Sequence, residues 1–310
     1  MLNKISVNGT ELEYEFCGTN TGEPVVLIHW GVAATWAEPL LDQPALTSRY
    51  QLLSYHRAGF AGSGPQQGPP VIAAHAAHCH QLMRELGITR AHIVGHSSSV
   101  PIALQLALDA PEAVHTLTLM EAARPAPPTD AERQFGTDVI VPAVQRYRAG
   151  DKDAAVDIFF RSVLGPGYRA ALDHGLPGAY QQALTDADAF FTQEMPAIQQ
   201  WLFTQDDAHR IQQPALAILG TASPAIFAER HKLLLDWLPK PPSQAARPEI
   251  SDTTSFYSSA GNHSRRSDQH RTNGSARNQN RGKDNGIGRR RDCARYLRAS
   301  RHSTSRCRFT

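Results

Sequence analysis

The hexapeptide GHSSSV, residues 95–100, lies between a short apolar run, HIVG, and a longer helix-like one, PIALQLALDAP. A serine at a strand-to-helix junction is a candidate nucleophile, because the sharp turn there lifts its hydroxyl clear of the sheet. Ser97 is the centre of this turn, with Gly95 two residues before it and Ser99 two residues after. Small residues are required around it because the helix that follows crosses close to the strand. A serine hydroxyl attacks poorly until a base takes its proton, and the developing oxyanion needs N–H donors. The chemistry implied is acyl transfer to Ser97, which calls for a histidine, an orienting acid and two N–H groups. The competing reading of the hexapeptide alone is an ordinary structural serine in a polar turn.

Such a turn has to be held by a sheet. LNKISVNG and TELEYEFCG are expected to pair as strands about Asn8-Gly9, a strong hairpin signal. PVVLIH (24–29) and YQLLSYH (50–56) are apolar runs that stop at glycine-containing turns. In VIAAHAAHCHQLMRELG, the stripe Ile72, His75, Cys79, Leu82, Met83 and Leu86 predicts a helix ended by Gly87. HIVGHS, SSVPIALQLALDAP and VHTLTLME then read as strand, helix and strand. Strands alternating with helices at this spacing predict a mostly parallel α/β sheet covered on both faces. After Met120 the segment ARPAPPTD breaks the rhythm, and residues 130–210 hold helix-like pieces without convincing strands. An all-helical insertion is expected there, before a buried strand at PALAILG (214–220) and a helix at FAERHKLLLDWLP.

Charge divides the 310 residues unevenly. Residues 240–310 hold 16 Lys and Arg, 14 of them Arg, against 5 acids, whereas residues 1–239 hold 15 basic and 24 acidic residues. Large apolar residues almost vanish beyond Pro239, so burial there cannot offset the entropy of ordering, and a disordered tail is expected. Cys17, Cys79, Cys293 and Cys307 show no metal-ligand spacing, and nothing in the chain asks for a metal or a cofactor. The N-terminus lacks a signal-type apolar core and no run approaches 18 apolar residues, so a soluble cytoplasmic protein without a membrane span is expected.

Residues 1–239 resemble the α/β-hydrolase family through four features in order. GHSSS resembles its nucleophile elbow, with Ser99 where the pattern has a second glycine. LIHWG (27–31) resembles the segment after the third strand that supplies half of the oxyanion hole; the resemblance implies N–H donors at Gly31 and Ser98. SYHRAGFAGSG (54–64) resembles the loop after the fourth strand, which packs beneath the active site, and the helical insertion lies where many members carry a cap. The implied organisation is a hydrolase core of residues 1–121 and 214–239, a helical cap of residues 122–213, and the tail. The family's usual acid position falls at Ser223 in GTASPAIF. Its other acid position, at the end of the preceding strand, matches Glu121 in LTLMEAARPAP. A glutamate facing solvent at the boundary of the insertion is the plainer alternative.

The base is the missing part. The resemblance implies a histidine in a loop after an eighth strand, but KPPSQAARPEI follows the last helix, with no apolar run. The last strand and final helix of the sheet are therefore expected to be missing or badly formed. His263 in AGNHSRR and His270 in SDQHRTN stand near the right distance, and His263 is the candidate base. His75 and His78 have a packing or surface role as their simpler reading, His96 fills the variable place of GHS, and His56 ends a strand. The abrupt loss of pattern points to a shifted reading frame near residues 240–250. The reading reached is a serine hydrolase for an ester-like or similar small organic substrate, impaired for want of its histidine. Two other readings stay open: a non-catalytic protein on a hydrolase scaffold, and a tail whose arginines bind nucleic acid or an anionic surface. The tail lacks the aromatic ladder or zinc pattern that would favour nucleic acid.

Overall fold

β1 (Asn3–Val7) and β2 (Thr10–Gly18) meet across Asn8 and Gly9, both at positive φ, as a two-residue hairpin turn requires. The computed structural model describes residues 2–121 and 128–239. β3 (Glu23–Ile28) is followed by the short helices α1 (Glu38–Leu41) and α2 (Pro44–Thr47), then β4 (Tyr50–Tyr55) and α3 (Ile72–Glu85). β5 (Ala91–His96) leads through one 3-10 turn into α4 (Val100–Asp109), and β6 (Val114–Met120) follows. The sheet order is β1-β2-β4-β3-β5-β6-β7, with β7 formed by Ala215–Ile218. β1, β2 and β4 pair antiparallel, and every later neighbour is parallel.

The apolar runs work as two-sided strands. On β3, Val26 and Ile28 enter one core with Ile72 and Leu82 of α3 and Ile102 and Leu106 of α4, while Leu27 enters the other with Trp30 and Phe160. Alternate residues thus face opposite cores, as a sheet covered on both faces demands. β7 departs from the expected buried strand: none of its four residues is buried, and Leu216 is 40% exposed. It pairs with β6 on one side and is the last strand in the order among the described residues, so it behaves as an edge.

Between β6 and β7 the described residues form helices joined by short turns, with no strand among them. It forms α5 (Asp130–Phe135), α6 (Val141–Arg148), α7 (Lys152–Leu164), α8 (Tyr168–Gly175), α9 (Ala179–Thr185), α10 (Ala187–Ala189), α11 (Met195–Gln200) and α12 (Gln205–Arg210). π-helical stretches join α5 to α6 and α10 to α11. A buried ion pair ties this layer to the β4 loop, with Arg57 Nη2 donating to Glu194 Oε2 at 2.8 Å and each side chain 1% exposed. α13 (Ala225–Trp237) closes the described fold. No helix among the described residues is long and apolar enough to cross a membrane. The basic tail, its expected disorder, the expected loss of an eighth strand, the expected frame shift, His263 and His270 all lie outside the described residues.

Candidate active site

β3, β5, β6 and β7 run parallel, so their C-terminal ends share one edge of the sheet. Each of the loops leaving that edge carries a residue singled out above: Gly31, Ser97, Glu121 and Ser223. Ligands of open parallel sheets bind at this edge. At Ser97 the backbone is left-handed, with φ +52°. That region costs a non-glycine residue about 1–3 kcal/mol and persists only where its surroundings enforce it. Here they do. A Cβ on Gly95 would stand 2.9 Å from the Ser99 carbonyl oxygen and 3.2 Å from Ala103 Cβ, so only glycine lets α4 cross so near β5. Ser99, which departs from the family pattern, is fully buried; its hydroxyl donates to the Ile28 carbonyl and accepts the His96 N–H, each at 2.8 Å. It pins the turn to β3 in a way that glycine could not.

Gly31 and Ser98 are brought together, though not as two free donors. The Gly31 N–H donates to Ser98 Oγ at 2.7 Å, with Gly31 itself at φ +41°. His29, two residues earlier, is buried beneath the site, and its Nε2 accepts the Arg57 N–H at 3.0 Å. Burial, aided by the neighbouring Arg57 charge, holds His29 well below the usual imidazole range. Trp30 turns its indole toward the ring of His96, with 5.5 Å between centroids, and Trp36 packs on the same imidazole at 5.3 Å.

Glu121 closes β6 at φ +50° and is 8% exposed. Its Oε1 accepts from the Gly220 N–H at 2.9 Å and from the Ser223 hydroxyl at 2.6 Å. Its Oε2 is buried and makes no hydrogen bond among the described residues. The two acid positions that the sequence offered as alternatives therefore face one another, and the serine at one serves the carboxylate at the other. The plainer alternative, a glutamate facing solvent, does not describe this side chain.

Two cavities flank Ser97. One, of about 320 Å³, lies among Trp30, His96, Ser97, Glu121, Tyr168 and Ser223. The other, of about 490 Å³, is lined by Ser97 and Ser98 with Phe159, Phe190 and the ion-paired Glu132 and Arg230. Both are of a size for small organic molecules. Arg230 Nε donates to Glu132 Oε1 at 2.7 Å, joining α13 to α5. Sequence reasoning missed this pair because its members stand 98 residues apart with no local pattern linking them. Among the described residues, the histidine on these walls is His96, whose imidazole burial pushes down to about 4. His75 and His78 line neither cavity; both are buried on the inner face of α3, so a surface role is corrected to packing.

A family profile described as alpha/beta hydrolase fold matches residues 23–165, which include the β3 loop, the elbow and the end of β6. The chain has the α/β-hydrolase fold. RutD proteins, named as candidate carbamate hydrolases, are similar over part of this hydrolase-fold chain. That of Klebsiella pneumoniae strain 342 is 38% identical over 100 residues, which is 32% of this chain and 38% of its own length. That of Caulobacter vibrioides strain NA1000 is 34% identical over 119 residues, 37% of this chain and 44% of its own. The chain thus matches less than half the length of these relatives. Among solved structures, the enol-lactonase of Burkholderia xenovorans LB400 superposes with a TM-score of 0.62 at 23% identity, over 74% of this chain and 86% of its own. The esterase RhEst1 of a Rhodococcus species gives 0.63 at 19% identity, over 83% and 96%. At such identities these two speak for the fold alone.

Proposed function

We propose that the chain is a serine hydrolase for small ester-like or carbamate substrates, with Ser97 as the nucleophile. The observation that carries the reading is the left-handed backbone of Ser97 at the C-terminal end of β5, on the wall of both cavities. In this reading the Ser97 hydroxyl attacks the substrate carbonyl carbon and its proton passes to an imidazole. The tetrahedral oxyanion is received by the N–H groups of Gly31 and Ser98, once the Ser98 hydroxyl has turned away from Gly31. The leaving group then departs with the proton, and water releases the acyl group from Ser97. Glu121 orients the imidazole through Oε2, the carboxylate oxygen without a partner among the described residues. Carbamates join the substrate class through the names of the RutD relatives, and the apolar cavity walls suit a small organic acyl group. Its working compartment in this reading is the cytoplasm.

The base is His263 in this reading. His96 stays neutral at pH 7 but is too weakly basic to drive the proton transfer well. If His263 fails in this role, turnover several orders of magnitude below that of an intact triad is expected, since only oxyanion and binding effects persist without a competent base. A non-catalytic protein is the second reading, favoured by the Gly31 N–H being engaged by Ser98.

A fluorophosphonate probe, with p-nitrophenyl esters and carbamates as substrates, separates the two. Labelling that disappears in Ser97→Ala supports the hydrolase, and equal labelling in that variant sinks it. Loss of activity in His263→Ala but not in His96→Ala identifies the base; the reverse moves that role to His96. No labelling and no turnover at all favours the non-catalytic protein.

A further inference from the structure

The opposite edge of the sheet carries three side chains that the hydrolase reading leaves unused. Glu23 opens β3, His92 is the second residue of β5 and His115 the second of β6. β5 lies between β3 and β6, and the register sets His92 beside Val25 and Thr116. One ligand-type atom from each of Glu23, His92 and His115 lies within 4.8 Å of the others. His92 Nδ1 is 2.8 Å from the Thr116 hydroxyl, and its Nε2 is 3.3 Å from Glu23 Oε2. The rings of His92 and His115 meet edge to face with centroids 4.7 Å apart.

We propose that Glu23, His92 and His115 form a binding site for a divalent transition-metal ion of the zinc type. Two imidazoles and one carboxylate are a ligand set of open zinc sites, in which water completes the tetrahedron. Ligands bonded at roughly 2.0–2.1 Å and set at a tetrahedral angle lie about 3.3 Å apart. The His92 Nε2 to Glu23 Oε2 separation has that value. Thr116 supplies the outer partner such a ligand needs: by engaging Nδ1 it fixes the ring and turns Nε2 toward Glu23 and His115. A simple His92–Glu23 hydrogen bond accounts for two of the three residues and gives His115 no role. Calcium and magnesium are disfavoured because both prefer all-oxygen ligands. The Glu23 side chain is 68% exposed and that of His92 21%, so an ion can enter from solvent onto half-buried imidazoles. His92 and His96 are four residues apart on β5, roughly 13 Å, so the ion would not touch Ser97.

The test is a calorimetric zinc(II) titration of the metal-stripped full chain, with Glu23→Gln, His115→Gln and Thr116→Val variants checked for folding by circular dichroism. Expected is one saturable site, weakened at least ten-fold in Glu23→Gln and in His115→Gln. Thr116→Val, which loses only the outer partner, is expected to weaken it by about 10–100-fold. Cobalt(II) in place of zinc is expected to give visible bands of a nitrogen and oxygen site without thiolate charge transfer. Absence of a saturable site, affinity unchanged in Glu23→Gln and His115→Gln, or a thiolate band from the tail cysteines would each overturn the proposal.

Discussion

The Ser223 hydroxyl donates to Glu121 Oε1 at 2.6 Å, joining the loops that leave β7 and β6. Because Gly220 N–H is the other donor to that oxygen, Ser223→Ala leaves the carboxylate held by one bond. The substitution is expected to lower stability by about 1 kcal/mol. A melting temperature lower by about 2–4 °C would register it. Glu121→Gln keeps the shape and loses the charge, so the rate of Ser97 labelling should fall by about 10⁴-fold if Glu121 orients the base. A rate unchanged in Glu121→Gln would assign this carboxylate a structural role only.

Ser98→Ala removes the hydroxyl that now engages the Gly31 N–H. Freed of this competitor, Gly31 can give its N–H to an oxyanion at once. Ester turnover is expected to hold or rise by a few-fold. A drop of ten-fold or more in kcat would show that the Ser98 hydroxyl itself stabilises the transition state.

Glu194→Ala strands the Arg57 guanidinium, 1% exposed, without its carboxylate. Removing one partner of such a pair is expected to cost about 3–5 kcal/mol. Urea unfolding should report this as a lower midpoint with an unchanged slope. A shift below about 1 kcal/mol would mean that solvent reaches the arginine in the folded protein.

Acid should destabilise the fold through its buried histidines. Burial lowers His29, His75 and His96 in the folded state, His96 to about 4. The unfolded chain therefore binds protons at a pH where these folded sites do not. The stability they confer is complete above the unfolded pKa near 6.5 and is lost as pH falls toward the folded values. Each histidine contributes a slope of at most about 1.4 kcal/mol per pH unit in that window. Urea midpoints that stay constant between pH 7.5 and 5 would contradict this.

The order of strands and helices was legible because each element writes its period locally. Alternation between two cores produced the continuous runs of β3 and β4, and Asn8-Gly9 announced the first hairpin. The strand-to-helix turn at Ser97 was legible for the same reason: Gly95 and the change of period lie within a few residues of it. β7 misled, since PALAILG is apolar enough for a buried strand, yet burial depends on neighbours on both sides, which a strand's own residues do not encode.

Everything that joins distant segments was decided by the tertiary structure. The sequence offered Glu121 and Ser223 as rival acid positions; parallel pairing of β6 with β7 made them partners. It named Gly31 and Ser98 as donors to one oxyanion, whereas the close approach of the β3 loop to the elbow set the N–H of one on the hydroxyl of the other. Cysteine spacing showed no metal site, and Glu23, His92 and His115 converge from three strands through lateral register alone. Local pattern determined which elements form and where the chain must turn. Side-chain pairing depends on register and packing between segments as far as 137 residues apart, and only the folded chain supplies those.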